Sequence, residues 1–125
     1  MVTPFLQVAF GGAFGAAARY LTGLALVRAL GQGFPYPTLA VNVVGSFFMG
    51  AFVVLAAQKS FTHVSPLIQT GILGGFTTFS SFSLDTVALL ERGETALAAL
   101  YVALSVCASI GALFCGLLLA RAVFA

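Results

Sequence analysis

The sequence predicts an all-α integral membrane protein: four transmembrane helices with a midplane break in the third, assembled as an antiparallel (dual-topology) dimer. Three observations lead there. The chain is 61% hydrophobic and 6% charged, with a mean hydropathy of +1.13, whereas soluble domains carry about 25% charged residues. The apolar runs are continuous, unlike the alternating segments of roughly 10 residues that build membrane β-barrels. Finally, one apolar run is interrupted by TGILGGFTTFSSFSLD, Thr70 to Asp85.

A spanning helix needs about 20 residues, so 125 residues hold four spans in one domain, with little chain outside the bilayer. The net charge of +2 comes from five cations and three acids, too few and too scattered for a nucleic-acid surface. The N-terminus MVTPFLQVAFGG lacks a basic leader segment and is expected to begin the first span.

Span one is expected from about Pro4 to Arg28. Gly11 and Gly15 form a small-xxx-small step suited to close helix contact in lipid. Arg19 lies well inside the span. An arginine at that depth is a functional hypothesis by default, either drawing anions into a vestibule or bonding the carbonyls of neighbouring helices. GQGFPYP follows as turn chemistry.

Span two is expected from about Pro37 to Ala57, with Asn42, Gly45, Ser46, Met49 and Gly50 on one small, polar face. QKSFTHVS, carrying Lys59 and the lone His63, is the second loop.

Span three is expected from about Pro66 to Leu90. Gly71, Gly74 and Gly75, the hydroxyls of Thr77, Thr78, Ser80, Ser81 and Ser83, and Phe76, Phe79 and Phe82 crowd its middle. Glycine costs about 1 kcal/mol in a helix interior relative to alanine, and hydroxyls gain nothing from lipid. An interrupted helix at membrane depth is tolerated only when buried in protein or lining a watery cavity. Two readings remain: a packing kink, or freed carbonyls forming a hard-cation site of the transporter kind. Phe79 and Phe82 neighbour each other if the helix resumes. They are either core or lipid-facing rings, or rings presenting their positive edges to an anion. Asp85 is the only acid within any span.

Span four is expected from about Thr95 to Val123, with a polar stripe of Tyr101, Ser105 and Ser109 and a small-residue stripe of Ala108, Ala112 and Gly116. The polar stripe is interhelical glue or a set of hydrogen-bond donors to an ion. Cys107 and Cys115 lie about 12 Å apart along this helix, too far for a disulfide, which needs Cα atoms within about 7 Å. Pro4, Pro37 and Pro66 each open a span, where the missing N–H is tolerated.

Four spans place Lys59 and Arg121 on one side and Arg28 and Arg92 on the other. The positive-inside rule acts through the Lys/Arg imbalance between loops, and here the two sides balance. Such a chain can insert both ways, and opposite copies can pair about a two-fold axis in the membrane plane. A two-fold contact is self-complementary, so it would set the two breaks face to face. No metal-ligand spacing, nucleophile–base pair or phosphate loop appears, so an enzyme is not expected.

The chain resembles the Fluc (CrcB-type) family of fluoride channels along its whole length. Three motifs carry the resemblance: GGAFGAAARY at Gly11 to Tyr20, PTLAVNVVGSFFMG at Pro37 to Gly50, and GGFTTFSSFS at Gly74 to Ser83. The stripe Tyr101, Ser105, Ser109 matches as well. Ser81 is a mild departure, standing where the family often has threonine, and a hydroxyl is kept.

The resemblance implies a dual-topology homodimer in the cell inner (plasma) membrane, with two fluoride pores built from both subunits. It places Asn42 at a constriction, Phe79 and Phe82 as edge-on rings with Ser80 and Ser81 nearby, and Tyr101, Ser105 and Ser109 as a polar track. Arg19 would border an aqueous vestibule. The carbonyls of Gly74 and Thr77 would hold a structural Na+ on the two-fold axis. The implied function is passive, electrogenic export of F⁻ that relieves fluoride toxicity. The alternatives are a small dual-topology multidrug or cation exporter, weakened by the lack of an acid in span one, and a non-transporting assembly subunit, which leaves the midplane hydroxyls unexplained.

Overall fold

The computed structural model describes residues 2–124. Among these all regular structure is helical, with no strand. Helix α1 runs Val2–Leu30 and α2 runs Tyr36–Lys59. A short 3₁₀ turn, Thr62–Val64, leads into a π-helical stretch, Pro66–Leu73, which continues as the single turn α3, Gly74–Phe76. After an extended pair, Thr77 and Thr78, α4 runs Phe79–Glu91 and α5 runs Thr95–Phe124.

Three of these helices, α1, α2 and α5, are long and apolar enough to cross a membrane. At 1.5 Å per residue they reach about 36–45 Å, against a hydrocarbon core of about 30 Å. The segment from Pro66 to Glu91 is cut at Thr77, so neither half alone has that length. Large apolar side chains such as Phe5, Phe14, Leu84 and Leu118 lie on the outside, as lipid or protein contact requires and water would penalise.

Two glycine-lined contacts organise the packing. In the first, α1 lies against the π-helical stretch and α3. A methyl on Gly15 would overlap the Ile72 carbonyl, and one on Gly75 would sit 2.8 Å from the Gly12 carbonyl oxygen. In the second, α2 lies along α5. There a methyl on Gly50 would overlap the Leu113 carbonyl, and one on Gly116 the Phe47 carbonyl. In lipid, such backbone-to-backbone approach replaces the hydrophobic drive that water supplies to soluble bundles. The expected Gly11/Gly15 step is thus the face that receives the broken segment, and Gly116 of the small-residue stripe receives α2.

The π winding over Pro66–Leu73 was not anticipated. Gly74 N–H reaches back to the Gln69 carbonyl, the wider bond of such a turn. These bulges recur at functional sites, and this one immediately precedes the break.

The turns α1–α2 and α4–α5 lie at the same end of the molecule. Each closes on a glycine with positive φ, Gly31 (80°) and Gly93 (79°), a conformation open to glycine without the Cβ penalty. Leu89, Ala98 and Tyr101 form a buried cluster beneath them, joined by Phe34, Leu39 and Phe82. Cys107 and Cys115 are free and exposed.

Candidate functional site

The break is defined by two residues. Thr77 (φ −85°, ψ 161°) and Thr78 (φ −156°, ψ 118°) are extended, so the α-helical bonds across them are lost and each freed group needs another partner. Thr78 N–H donates to Asn42 Oδ1 at 2.7 Å, and Asn42 Nδ2 donates to the Thr78 carbonyl at 3.0 Å. The amide of α2 thus pairs with the extended backbone as a neighbouring strand would. Thr78 Oγ1 caps α4 by accepting from Ser81 N–H at 3.2 Å and lies 3.2 Å from Ser80 Oγ. Thr77 N–H and Oγ1 both donate to the Leu73 carbonyl, at 3.1 and 3.0 Å.

Other carbonyls are left over. Gly74 loses its helical partner because Thr78 N–H bonds Asn42. Thr77 loses its own because Ser81 N–H bonds the Thr78 hydroxyl. These are the two carbonyls expected to hold a cation, and their lack of amide partners fits a hard-ion role. The Gly75 carbonyl accepts from Arg19 Nε at 3.0 Å. Arg19 therefore has the carbonyl bond foreseen as one of its two readings.

On one side of the break lies a groove of about 390 Å³ between α2, α4 and α5. Asn42, Ser46, Phe79, Phe82, Ser105 and Ser109 line it, with Thr77 and Thr78. The Phe79 and Phe82 rings are adjacent, with centroids 5.4 Å apart. Phe79 is 77% exposed in the isolated chain. Ser105 Oγ is buried beside the Tyr101 hydroxyl, without a well-formed hydrogen bond. An orphaned hydroxyl of this kind carries a desolvation penalty of about 1–3 kcal/mol.

Tyr101 lies deeper, with its hydroxyl near those of Thr38 and Ser105. It is 0% exposed, and its hydroxyl donates to Asp85 Oδ2 at 2.9 Å. Its ring continues the aromatic row, 5.3 Å from Phe82 and 5.5 Å from Phe34. The row Phe79–Phe82–Tyr101–Phe34 thus leads from the groove to the turn end of the molecule.

On the other side of Thr78 lies a cleft between α1, α2 and α4. Its inner chamber, about 390 Å³, is lined by Arg19, Thr38, Thr78 and Ser81. Its outer chamber, about 260 Å³, is lined by Thr38, Asp85 and Arg92. Thr78 borders both groove and inner chamber, so the Asn42–Thr78 pair stands between them.

The structure therefore gathers Asn42, Phe79, Phe82, Ser105 and Ser109 on the groove and Arg19 and Ser81 on the cleft. Ser80 is exposed at the start of α4, and Tyr101 is buried between. Thr78 and Asp85, named in the sequence but given no pore role there, are central to this arrangement. A threonine directly before a renewed helix is the sequence signal of a cap. Asp85, the lone acid of the spans, carried the other signal.

The chain matches the family described as CrcB-like protein, Camphor Resistance (CrcB), over residues 6–117. It is 57% identical over 124 residues to the Fluoride-specific ion channel FluC of Ruegeria sp. (strain TM1040), covering 98% of each chain. It is 54% identical over 121 residues to the protein of that name in Cereibacter sphaeroides (strain ATCC 17029 / ATH 2.4.9), covering 97% of each chain. A third of that name, from Jannaschia sp. (strain CCS1), is 65% identical over 96 residues, 77% of this chain and 91% of the relative. With agreement across nearly its whole length, the chain belongs to the CrcB-like family.

Proposed function

We propose that this protein is a passive, electrogenic, fluoride-selective channel of the bacterial plasma membrane, with four spans and working as an antiparallel homodimer. The observation that carries the proposal is the groove beside the break, where the buried Ser105 hydroxyl shares a wall with Ser109, Phe79 and Phe82. It is supported by the family and by the names of the relatives. In this reading Pro66 to Glu91 forms the third of the four spans, crossing the membrane in two pieces.

Fluoride holds its water tightly, so a selective route must replace that water with donors in succession. It must also bind weakly enough to release the ion. From the cleft, F⁻ meets the Ser81 hydroxyl and the remaining N–H of Asn42, whose other amide bonds are taken by Thr78. Beyond the constriction, Phe79 and Phe82 offer ring edges, which are positive without a full charge. Ser105 and Ser109 donate next. A membrane negative inside favours anion exit by about 2.3 kcal/mol per 100 mV. Fluoride that entered as neutral HF thereby leaves as F⁻.

The dimer supplies what one copy lacks. Phe79 projects from the chain, and a facing subunit would wall the groove around it. The Gly74 and Thr77 carbonyls of two copies would together hold Na+ on the two-fold axis. When bound, the ion supplies positive charge that lets the two sets of carbonyl dipoles approach. Export of organic cations is less well supported, because Asp85 is the one intramembrane acid and it accepts the Tyr101 hydroxyl.

The test is fluoride efflux from liposomes holding the purified protein, loaded with potassium fluoride and given valinomycin to carry the counter-charge. Fluoride release that needs valinomycin, with chloride retained, is the expected result. No release from well-folded protein overturns the channel reading.

A further inference from the structure

The two chambers of the cleft share Val27, Gln32, Pro37 and Thr38, so they lie side by side, one reaching Arg19 at the break and the other Arg92 at the end where the turns close. A carboxylate beside an anion's route repels the anion, and the outer chamber contains Asp85. The Tyr101 hydroxyl donates to Asp85 without cancelling its charge. Arg92, on the wall of the same chamber, supplies one full opposite charge. Its Nη2 donates to Glu94 Oε2 at 3.1 Å, with the two side chains 53% and 46% exposed. An ion pair this exposed is weak and readily screened. It tethers Arg92 at the lip of the cleft while drawing part of its field outward.

We propose that Arg92 collects anions at the mouth of this cleft and that Glu94 sets how strongly it does so. This rests on the channel reading above. A charge lining a low-dielectric cleft raises the local counter-ion concentration and the entry rate, and salt removes the effect. Arg28, in the last turn of α1, sits at the same end of the molecule but lines neither chamber. It is therefore an internal control for net charge.

The test is fluoride conductance of the full chain in planar bilayers at fixed fluoride, with ionic strength raised by potassium isethionate. The Debye length shrinks from about 30 Å at 0.01 M to about 8 Å at 0.15 M. Arg92→Gln is expected to lower conductance about three-fold at the lower salt and less than about 1.5-fold at the higher. Glu94→Gln should raise it about two-fold at low salt only. Arg92→Lys should restore most of the wild-type value, and Arg28→Gln should change little. The proposal is overturned if the Arg92→Gln deficit persists undiminished at high salt, if Arg28→Gln falls equally, or if Glu94→Gln leaves low-salt conductance unchanged. Should Arg92→Gln fail to fold, Glu94→Gln decides by its own criterion. A silent wild type overturns the channel reading itself, a result distinct from a conducting wild type indifferent to these charges.

Discussion

Asn42 holds the backbone of Thr78 with both ends of its amide, accepting at 2.7 Å and donating at 3.0 Å. One side chain from α2 thereby pairs with both backbone groups of Thr78, and positions the boundary between groove and cleft. Asn42→Ala removes both bonds and leaves the Thr78 groups without those partners. About 2–4 kcal/mol of stability should be lost, and fluoride efflux should fall at least about ten-fold given the sensitivity of such sites to small displacements. Thermal unfolding in detergent and liposome efflux check the two parts; a variant that conducts normally would remove Asn42 from the constriction.

Ser105 separates function from stability. Its hydroxyl is buried without a well-formed hydrogen bond, so Ser105→Ala removes a polar group that receives little from the fold. Stability should hold or rise by about 1 kcal/mol, while fluoride efflux falls. A drop in both would mean that the hydroxyl is a structural bond donor and not a group reserved for the ion.

Tyr101 and Asp85 should behave as a coupled pair. Tyr101→Phe keeps the ring in its row but leaves the Asp85 carboxylate without its donor, at an expected cost of about 1.5–3 kcal/mol. Adding Asp85→Asn should recover part of that loss, giving a coupling of about 0.5–3 kcal/mol in a double-mutant cycle of thermal stability. Additive losses would show that the 2.9 Å bond contributes little.

Glycines of the same type should differ sharply. Gly45→Ala places a methyl on the Thr77 side chain, whereas Gly111 has nothing within 4 Å of an added Cβ. Gly45→Ala should displace the break and lose about 1–3 kcal/mol through overpacking, with efflux impaired. Gly111→Ala should fold and conduct as wild type. Melting curves of the two variants, side by side with efflux, make the comparison.

The proposed cation site predicts a dependence on sodium. Exchange of Na+ for a large organic cation during prolonged dialysis should weaken both dimer retention on gel filtration and fluoride conductance. A dimer that survives complete sodium removal with conductance intact would count against a structural ion at Gly74 and Thr77.

The helices, the turns and the place of the break were legible in the sequence because their causes are local. Continuous hydropathy marks α1, α2 and α5, glycine and proline mark the turns, and crowded glycines and hydroxyls mark the interruption at Thr77. The pairing of side chains was not legible. Arg19 meets Gly75 across 56 positions, and Asn42 meets Thr78 across 36. Nothing in the neighbourhood of either residue names its partner. The same limit applies to the stripe on α5. Helical periodicity set Tyr101, Ser105 and Ser109 on one face, but only packing of α4 against that face gives Tyr101 its bond to Asp85 and sets the two serines on the groove. The division of the interior into a groove and a cleft on opposite sides of Thr78 has the same origin. Hydropathy and turn chemistry act over one or two helical turns, whereas a cavity exists only once several helices have chosen their neighbours.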